Sequence, residues 1–322
     1  MARRALSSAC LEIVQNLERV VGGSLIPDSL TGGHTLTVAF SGGADSTALA
    51  AAVAWATTRR RGPLQGIPAA AHVIDHGLQV DSAAVAARAV AQAEELGLPA
   101  RVTRVEVDAA DGGIEAAARH ARYAALLADP DALVLTGHTL DDQAETVLLG
   151  LARGSGTRSL GGMRAQRGRV MRPLLAIRRE TIRQACRDWG LTWWEDPMNA
   201  DPRFTRVRAR AALATLEETL GPGLTESLAR SAALCADDAD ALDALAAASA
   251  TTTVADLAAL PAALRRRVLR DWLARCGASE LTAHHLRAVE SLVTTWHGQA
   301  GVDLPGGRVR RTDGELRFVA AG

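Results

Sequence analysis

A chain of 322 residues, 48% apolar and 22% charged, is longer than one average domain and is neither disordered nor fibrous; it predicts a substantial core with an appended module. Aromatics make up only 3% and alanine is abundant, so helices with small side chains are expected to dominate. The formal net charge is zero and all 36 basic residues are arginine, which excludes a Walker A loop and any Schiff-base chemistry on an internal lysine.

Met1-Ala2-Arg3-Arg4 is basic, but no cleavable apolar region follows, and the longest apolar run, Ala48 to Ala56, is too short to span a bilayer. A cytoplasmic protein with no membrane partner is expected. After a short opening helix and a Gly/Pro/Ser linker near Val21 to Gly33, β-branched runs alternate with helical patterns. Strands are predicted at Thr35 to Phe40, Ala70 to Asp75, Arg101 to Val107 and Ala132 to Thr136. Helices are predicted at Ser46 to Arg59, Asp81 to Leu96, Gly113 to Leu127 and Asp141 to Arg153. This β-α-β series predicts an α/β fold: a doubly wound, mainly parallel sheet whose ligands gather at the carboxyl ends of its strands.

Arg-rich loops follow Gly154, then a helix from about Arg178 to Trp189, a Trp-rich strand at Leu191 to Glu195 and a helix from Arg203 to Leu220. Gly221-Pro222-Gly223 marks the expected boundary between a catalytic domain, 1–220, and a C-terminal domain, 221–322. The second part reads as helices near Leu224 to Ala248, Ala262 to Arg275 and Ala283 to Trp296, closed by a β-meander over Val302 to Val319. From Leu151 to Thr215 there are fourteen arginines against five acids, whereas Thr225 to Ala263 is acidic, a distribution that suits either a polyanion on one face or a solvated helix surface. Arg265-Arg266-Arg267 has the same two readings. Cys10, Cys186, Cys235 and Cys276 never form Cys-x-x-Cys, so they read as isolated core thiols rather than metal ligands.

Strand Thr35 to Phe40 runs into Ser41-Gly42-Gly43-Ala44-Asp45-Ser46 and then a helix, so unpaired N–H groups and the helix dipole favour phosphate there. Asp45 beside a phosphate points to an intervening divalent cation. The competing reading is a Gly-rich turn with Asp45 or Ser46 as N-cap. Asp141 and Glu145 stand four apart at a helix start, with His138 before them, and could hold a metal or an amine, or merely cap the helix. Arg153-Gly154-Ser155-Gly156 reads as a helix end or as pyrophosphate contacts.

The six-residue loop resembles that of the N-type ATP pyrophosphatases (PP-loop superfamily). Within them the chain resembles the tRNA(Ile)-lysidine synthetases, through His72-Val73-Ile74-Asp75-His76-Gly77-Leu78, Gly113-Ile114-Glu115, Arg119-His120-Ala121-Arg122-Tyr123, Thr136-Gly137-His138-Thr139-Leu140-Asp141-Asp142-Gln143-Ala144-Glu145, Arg172-Pro173-Leu174-Leu175 and Trp194-Glu195-Asp196-Pro197. The resemblance covers about Val38 to Ala236 and matches the shorter form of the family, with one C-terminal tRNA-binding module.

It implies ATP and Mg²⁺ as cofactors, and the isoleucine tRNA with a CAU anticodon and L-lysine as partners; a homodimer is admitted. It implies nucleotide contacts from Ser41, Gly42, Gly43, Ala44, Asp45, Ser46, Ile74, His76, Gly154 and Ser155, with Mg²⁺ on Asp45 and Glu145. The catalytic set would be Asp45, Arg119, Asp141 and Glu145, and the substrate contacts Glu115, Arg122, His138, Asp142, Arg206 and Arg210. One departure is Val207, where the family usually has Asn after the arginine. Rival readings are a tRNA thiolase on the same loop and a non-catalytic ATP sensor.

Overall fold

A computed structural model describes residues 6–24, 33–77, 81–107 and 113–320, without the side chains of Glu115 and Asn199. Most of the predicted linker and Leu78 lie outside the described residues. The chain forms two compact units, Met1–Ala233 and Leu234–Gly322, which divide inside the helix Leu224–Ala248.

In the first unit, strands β1 (Thr35–Ala39), β2 (Ala69–Asp75), β3 (Ala100–Arg104) and β4 (Ala132–Leu135) are joined through helices α2 (Ala44–Thr58), α3 (Ser82–Glu95) and α4 (Ile114–Leu126). Helix α1 (Ser8–Ser24) precedes them. The sheet order is β3-β2-β1-β4-β6-β5, all parallel except the pairing of β5 (Gln166–Arg167) with β6 (Val170–Met171). The mainly parallel sheet agrees with the sequence expectation, and the four principal strands are the predicted ones. Leu36, Val38, Val134 and Leu135 are fully buried, as strands covered on both faces require.

Strand order turns at β1. The chain moves outward from β1 to β3, then returns to place β4 on the other side of β1. Right-handed crossovers put α2 and α3 on one face and α4 on the other. The chain therefore leaves the carboxyl ends of β1 and β4 toward opposite faces, opening a crevice between them. Two helices border it: α5 (Leu140–Ala152), which follows β4, and α7 (Arg179–Asp188), which packs on α1 and α2 through the buried Ile182, Ala185 and Cys186.

Two details differ from the sequence reading. Leu191 to Glu195 is irregular, not a strand: Trp194 N–H donates to Gly42 O at 2.9 Å and Gln92 Nε2 donates to Thr192 O at 2.6 Å, so the segment crosses the loop after β1 instead of joining a sheet edge. The Arg-rich stretch read as loops contains β5, β6 and the short helix α6 (Thr157–Leu160). Helix α8 (Thr205–Leu220) follows at the predicted place.

The second unit has its own core of Leu257, Leu269, Leu273, Val289, Leu292 and Val309 under the antiparallel sheet β7-β8-β9 (Val302–Leu304, Gly307–Thr312, Glu315–Ala320). Its arginine triplet is largely turned inward. Arg265 and Arg266 both donate to the buried Glu290, at 2.9 and 2.7 Å, and Arg267 donates to Asp243 at 2.9 Å.

Leu135→Ala removes a fully buried side chain from the core on one face of the sheet. A loss of about 2–5 kcal/mol is expected, read as a lowered urea midpoint; an unchanged midpoint would show that the site collapses without cost.

Candidate active site

The turn after β1 is built to show its N–H groups. Gly42 adopts φ +77°, and a Cβ there would lie 3.3 Å from Gln92 Oε1. Ser46 Oγ accepts from Ser41 N–H at 3.2 Å and donates to Gly43 O at 3.0 Å, closing the loop on itself. Gly42 O is taken by Trp194 N–H and Gly43 O by Thr47 N–H, so both carbonyls are turned to the protein. What remains is the N-terminus of α2, a position that favours anions. No N-cap side-chain hydrogen bond is made at Gly43, and the simple capping alternative therefore does not describe this turn.

Against this turn lies the start of α5. Gly137 allows the approach: a Cβ there would sit 3.1 Å from the Asp45 carbonyl carbon and 3.2 Å from Ser46 N. Thr139 caps α5 and Asp142 completes a capping box, with Asp142 Oδ2 accepting from Thr139 N–H at 2.8 Å. Asp45, Asp142 and Glu145 converge on one guanidinium. Arg179 donates through Nη2 to Asp142 Oδ1 at 2.6 Å, with Nη1 3.6 Å from Glu145 Oε1 and Nε 3.8 Å from Asp45 Oδ2. Its backbone N–H donates to Asp141 Oδ2 at 2.7 Å, and Arg178 Nε stands 3.4 Å from Asp141 Oδ1. Glu145, 1% exposed, also accepts from Arg210 Nε at 2.8 Å.

The carboxylates differ in what they have left. Asp142 uses both oxygens within the protein, whereas Asp45 Oδ1 and Glu145 Oε2 are buried with no hydrogen-bond partner. A magnesium ion held by one or two carboxylates plus substrate phosphates fits those two orphaned oxygens. Among the described residues no three His, Cys, Asp or Glu side chains form a ready-made metal cluster. Burial raises the Asp45 carboxyl to about 6 despite the opposing charge of Arg179, and burial also raises Glu145.

A second group lines the ends of β2 and β4. Burial, the charge of Arg122, Arg172 and Arg119, and the opposing Asp142 leave His138 at about 3, so its imidazole is neutral; its Nδ1 is 2.8 Å from Thr136 Oγ1. His76 is lowered by burial and then by Arg122, and its Nδ1 has no partner. Arg122 itself is lowered by burial and has no carboxylate partner among the described residues, while Arg119 lies 5.0 Å over the Tyr123 ring. A desolvated guanidinium without a counterion suits an incoming anion.

Ile74, half-buried at the end of β2, and Arg206, in the first turn of α8, are also placed on the first unit. Glu115 lies in α4 but its side chain is outside the described residues. Gly154 and Ser155 lie just past the far end of α5, where Ser155 N–H donates to Gly150 O at 3.0 Å, five residues or about 7.5 Å of helix beyond Glu145.

Sequence reasoning missed Arg179 and the part played by Arg172. A signal existed: Arg178 and Arg179 open α7, where the helix dipole disfavours cations, so acids had to stand nearby.

A family model described as a PP-loop domain matches residues 12–217, and one described as the TilS substrate binding domain matches residues 253–317. The tRNA(Ile)-lysidine synthase of Mycolicibacterium paratuberculosis is 52% identical over 87% of this chain and 88% of its own length. The chain belongs to the tRNA(Ile)-lysidine synthase family. The lysidine synthases of Leifsonia xyli, 47% identical over 98% of each chain, and Thermobifida fusca, 49% identical over 89% and 92%, agree. Among solved structures, a U34-tRNA thiolase of Methanococcus maripaludis with a [4Fe-4S] cluster aligns with TM-score 0.55 at 17% identity, over 70% of this chain and 80% of its own; that likeness concerns the fold alone.

For this lysidine synthase relative, the Asp45 titration has a measurable sign. The folded carboxyl ionises near 6 against 3.8 for the free group, so the native state holds the extra proton in that window and loses stability as pH rises through it. In metal-free buffer the thermal midpoint of Asp45→Asn, relative to the parent, is expected to climb across that window and level off above it. A difference that does not vary with pH would contradict the assignment.

Proposed function

We propose that this chain uses ATP to adenylate the wobble cytidine of the CAU-anticodon isoleucine tRNA and then joins L-lysine to it. The cytosine 2-oxygen attacks the α-phosphorus of ATP and pyrophosphate leaves. The ε-amine of lysine then bonds to carbon 2, a proton is lost, and AMP departs to leave lysidine. The observation that carries this reading is the phosphate-ready turn Ser41 to Ser46 set against the carboxylate group of α5.

Each side chain has a task that its surroundings support. The N–H groups at the start of α2 hold the polyphosphate. Asp45 and Glu145 would hold Mg²⁺ through their unpartnered oxygens; the ion, when bound, neutralises phosphate charge. Arg119 and Arg122, with the neutral His76 and His138 beside them, offer positive charge to the reacting phosphate or to the substrate carboxylate. Asp141 and Asp142 fix the arginines opposite them, and Arg210 fixes Glu145. Little covalent chemistry falls to the protein, and positioning and charge carry most of the rate.

The reading extends to the whole chain. Residues 1–220 act as the catalytic domain and 221–322 as the tRNA-binding domain, supported by family matches at 12–217 and 253–317. A cytoplasmic place suits a tRNA substrate, and no helix among the described residues is long and apolar enough to cross a membrane. A homodimer is compatible with the reading.

The test is pyrophosphate release from ATP·Mg²⁺ with this tRNA, with and without L-lysine. Lysine-dependent conversion of the wobble cytidine is expected, reduced at least about 100-fold in Asp45→Ala. Turnover that requires a sulfur donor, or nucleotide binding without pyrophosphate, would overturn the reading in favour of a thiolase or a sensor.

A further inference from the structure

Arg179 touches more of the site than any residue singled out in the sequence. Its guanidinium reaches Asp45, Asp142 and Glu145, and its backbone N–H holds Asp141. Its stem is fixed: the side chain is 17% exposed, and α7 is anchored by the buried Ile182 and by Cys186, whose Sγ donates to Ala44 O at 3.5 Å. One helix turn therefore ties the phosphate loop, the start of α5 and the arginine into a single body.

The way the carboxylates are shared decides what the arginine does. It hydrogen-bonds Asp142 and stands nearest one oxygen of Asp45, at 3.8 Å, and one of Glu145, at 3.6 Å, and on Glu145 Arg210 donates to that same Oε1. The other oxygen of each, Asp45 Oδ1 and Glu145 Oε2, is buried and unpartnered. A cation that merely filled a vacant metal position would be expected to draw on all the oxygens there. A planar guanidinium can instead hold several carboxylates by one edge each, which a lysine ammonium, a point charge, does with much less control of direction.

We propose that Arg179 is a positioning residue: it orients Asp45 and Glu145 so that Asp45 Oδ1 and Glu145 Oε2 are presented together to the metal ion of the metal-nucleotide substrate. It stays in place when the metal nucleotide binds, because the oxygens it uses are not the ones presented. The nearby positive charge is offset by Asp142, whose oxygens are both committed, and by the nucleotide's own phosphates. This rests on the reading that Asp45 and Glu145 hold the metal.

The experiment uses the full chain, with Mn²⁺ as a spin-active probe and a non-hydrolysable α,β-methylene analogue of ATP. Mn²⁺ binding in the presence of the analogue is followed by electron paramagnetic resonance for the parent, Asp45→Asn, Arg179→Met and Arg179→Lys. Arg179→Met is expected to weaken Mn²⁺ binding about 10–100-fold, the usual effect of losing a partner that orients a metal ligand. Arg179→Lys is expected to recover only part of that loss. Metal-free analogue binding, which reports the loop and the fold, is expected to fall only a few-fold, far less than Mn²⁺ binding, since the N–H groups at the start of α2 that hold the phosphates are untouched. Should Arg179→Met fail to fold, Arg179→Lys carries the same comparison.

Mn²⁺ binding in Arg179→Met that equals or exceeds the parent's would overturn the proposal and make the arginine a competitor for the metal. A parent that binds no Mn²⁺ with the analogue, or an Asp45→Asn variant that binds it like the parent, would instead sink the underlying metal reading.

Discussion

Everything functional in the first unit depends on β1 and β4 lying side by side while the chain leaves them toward opposite faces of the sheet. That topology brings two helix N-termini, those of α2 and α5, to one crevice without any long loop. Gly137 sets how close they come, because its missing side chain lets β4's exit rest on the Asp45–Ser46 backbone. A phosphate-binding turn and a carboxylate-rich helix start become neighbours through backbone packing alone.

That closeness creates an electrostatic problem. Asp45, Asp142 and Glu145 are mutually repulsive and partly or wholly removed from water, and burial alone would drive them toward the neutral form. Arginines supplied by other elements answer it, Arg179 from α7 and Arg210 from α8. Since guanidinium stays charged throughout the working pH range, the site's response to pH falls on its carboxylates. Across the crevice the imbalance has the opposite sign: Arg119, Arg122 and Arg172 crowd the neutral His138, and Arg122 has no carboxylate partner among the described residues. An anion entering between the two groups meets positive charge on one side and unpartnered carboxylate oxygens on the other.

Much of this was legible in the sequence, for identifiable reasons. Strands β1 and β4 announced themselves as short apolar runs because both their faces are buried, and the loop after β1 was recognisable as Ser-Gly-Gly-Ala-Asp-Ser between a strand and a helix, where Gly42 takes a positive φ that a side chain would resist. Arg179 was not, because it is one arginine in a segment of fourteen and its partners lie 34 or more positions earlier in the chain. Charge counting could not distinguish the arginines of the site from those on the surface. The same blindness applied to Arg265 to Arg267, which look like a phosphate-binding patch and instead pair largely with Glu290 and Asp243. Leu191 to Glu195 misled for another reason: its composition suits a strand, but its hydrogen bonds go to the loop and to Gln92.

The carbonyls of Gly42 and Gly43 are held by Trp194 and by Thr47 and Ser46. A turn that must greet an anion has to keep its own negative poles out of the way, and these hydrogen bonds do so. Hydrogen bonds within the protein fix the turn, so the entropic cost of ordering it falls on folding rather than on association.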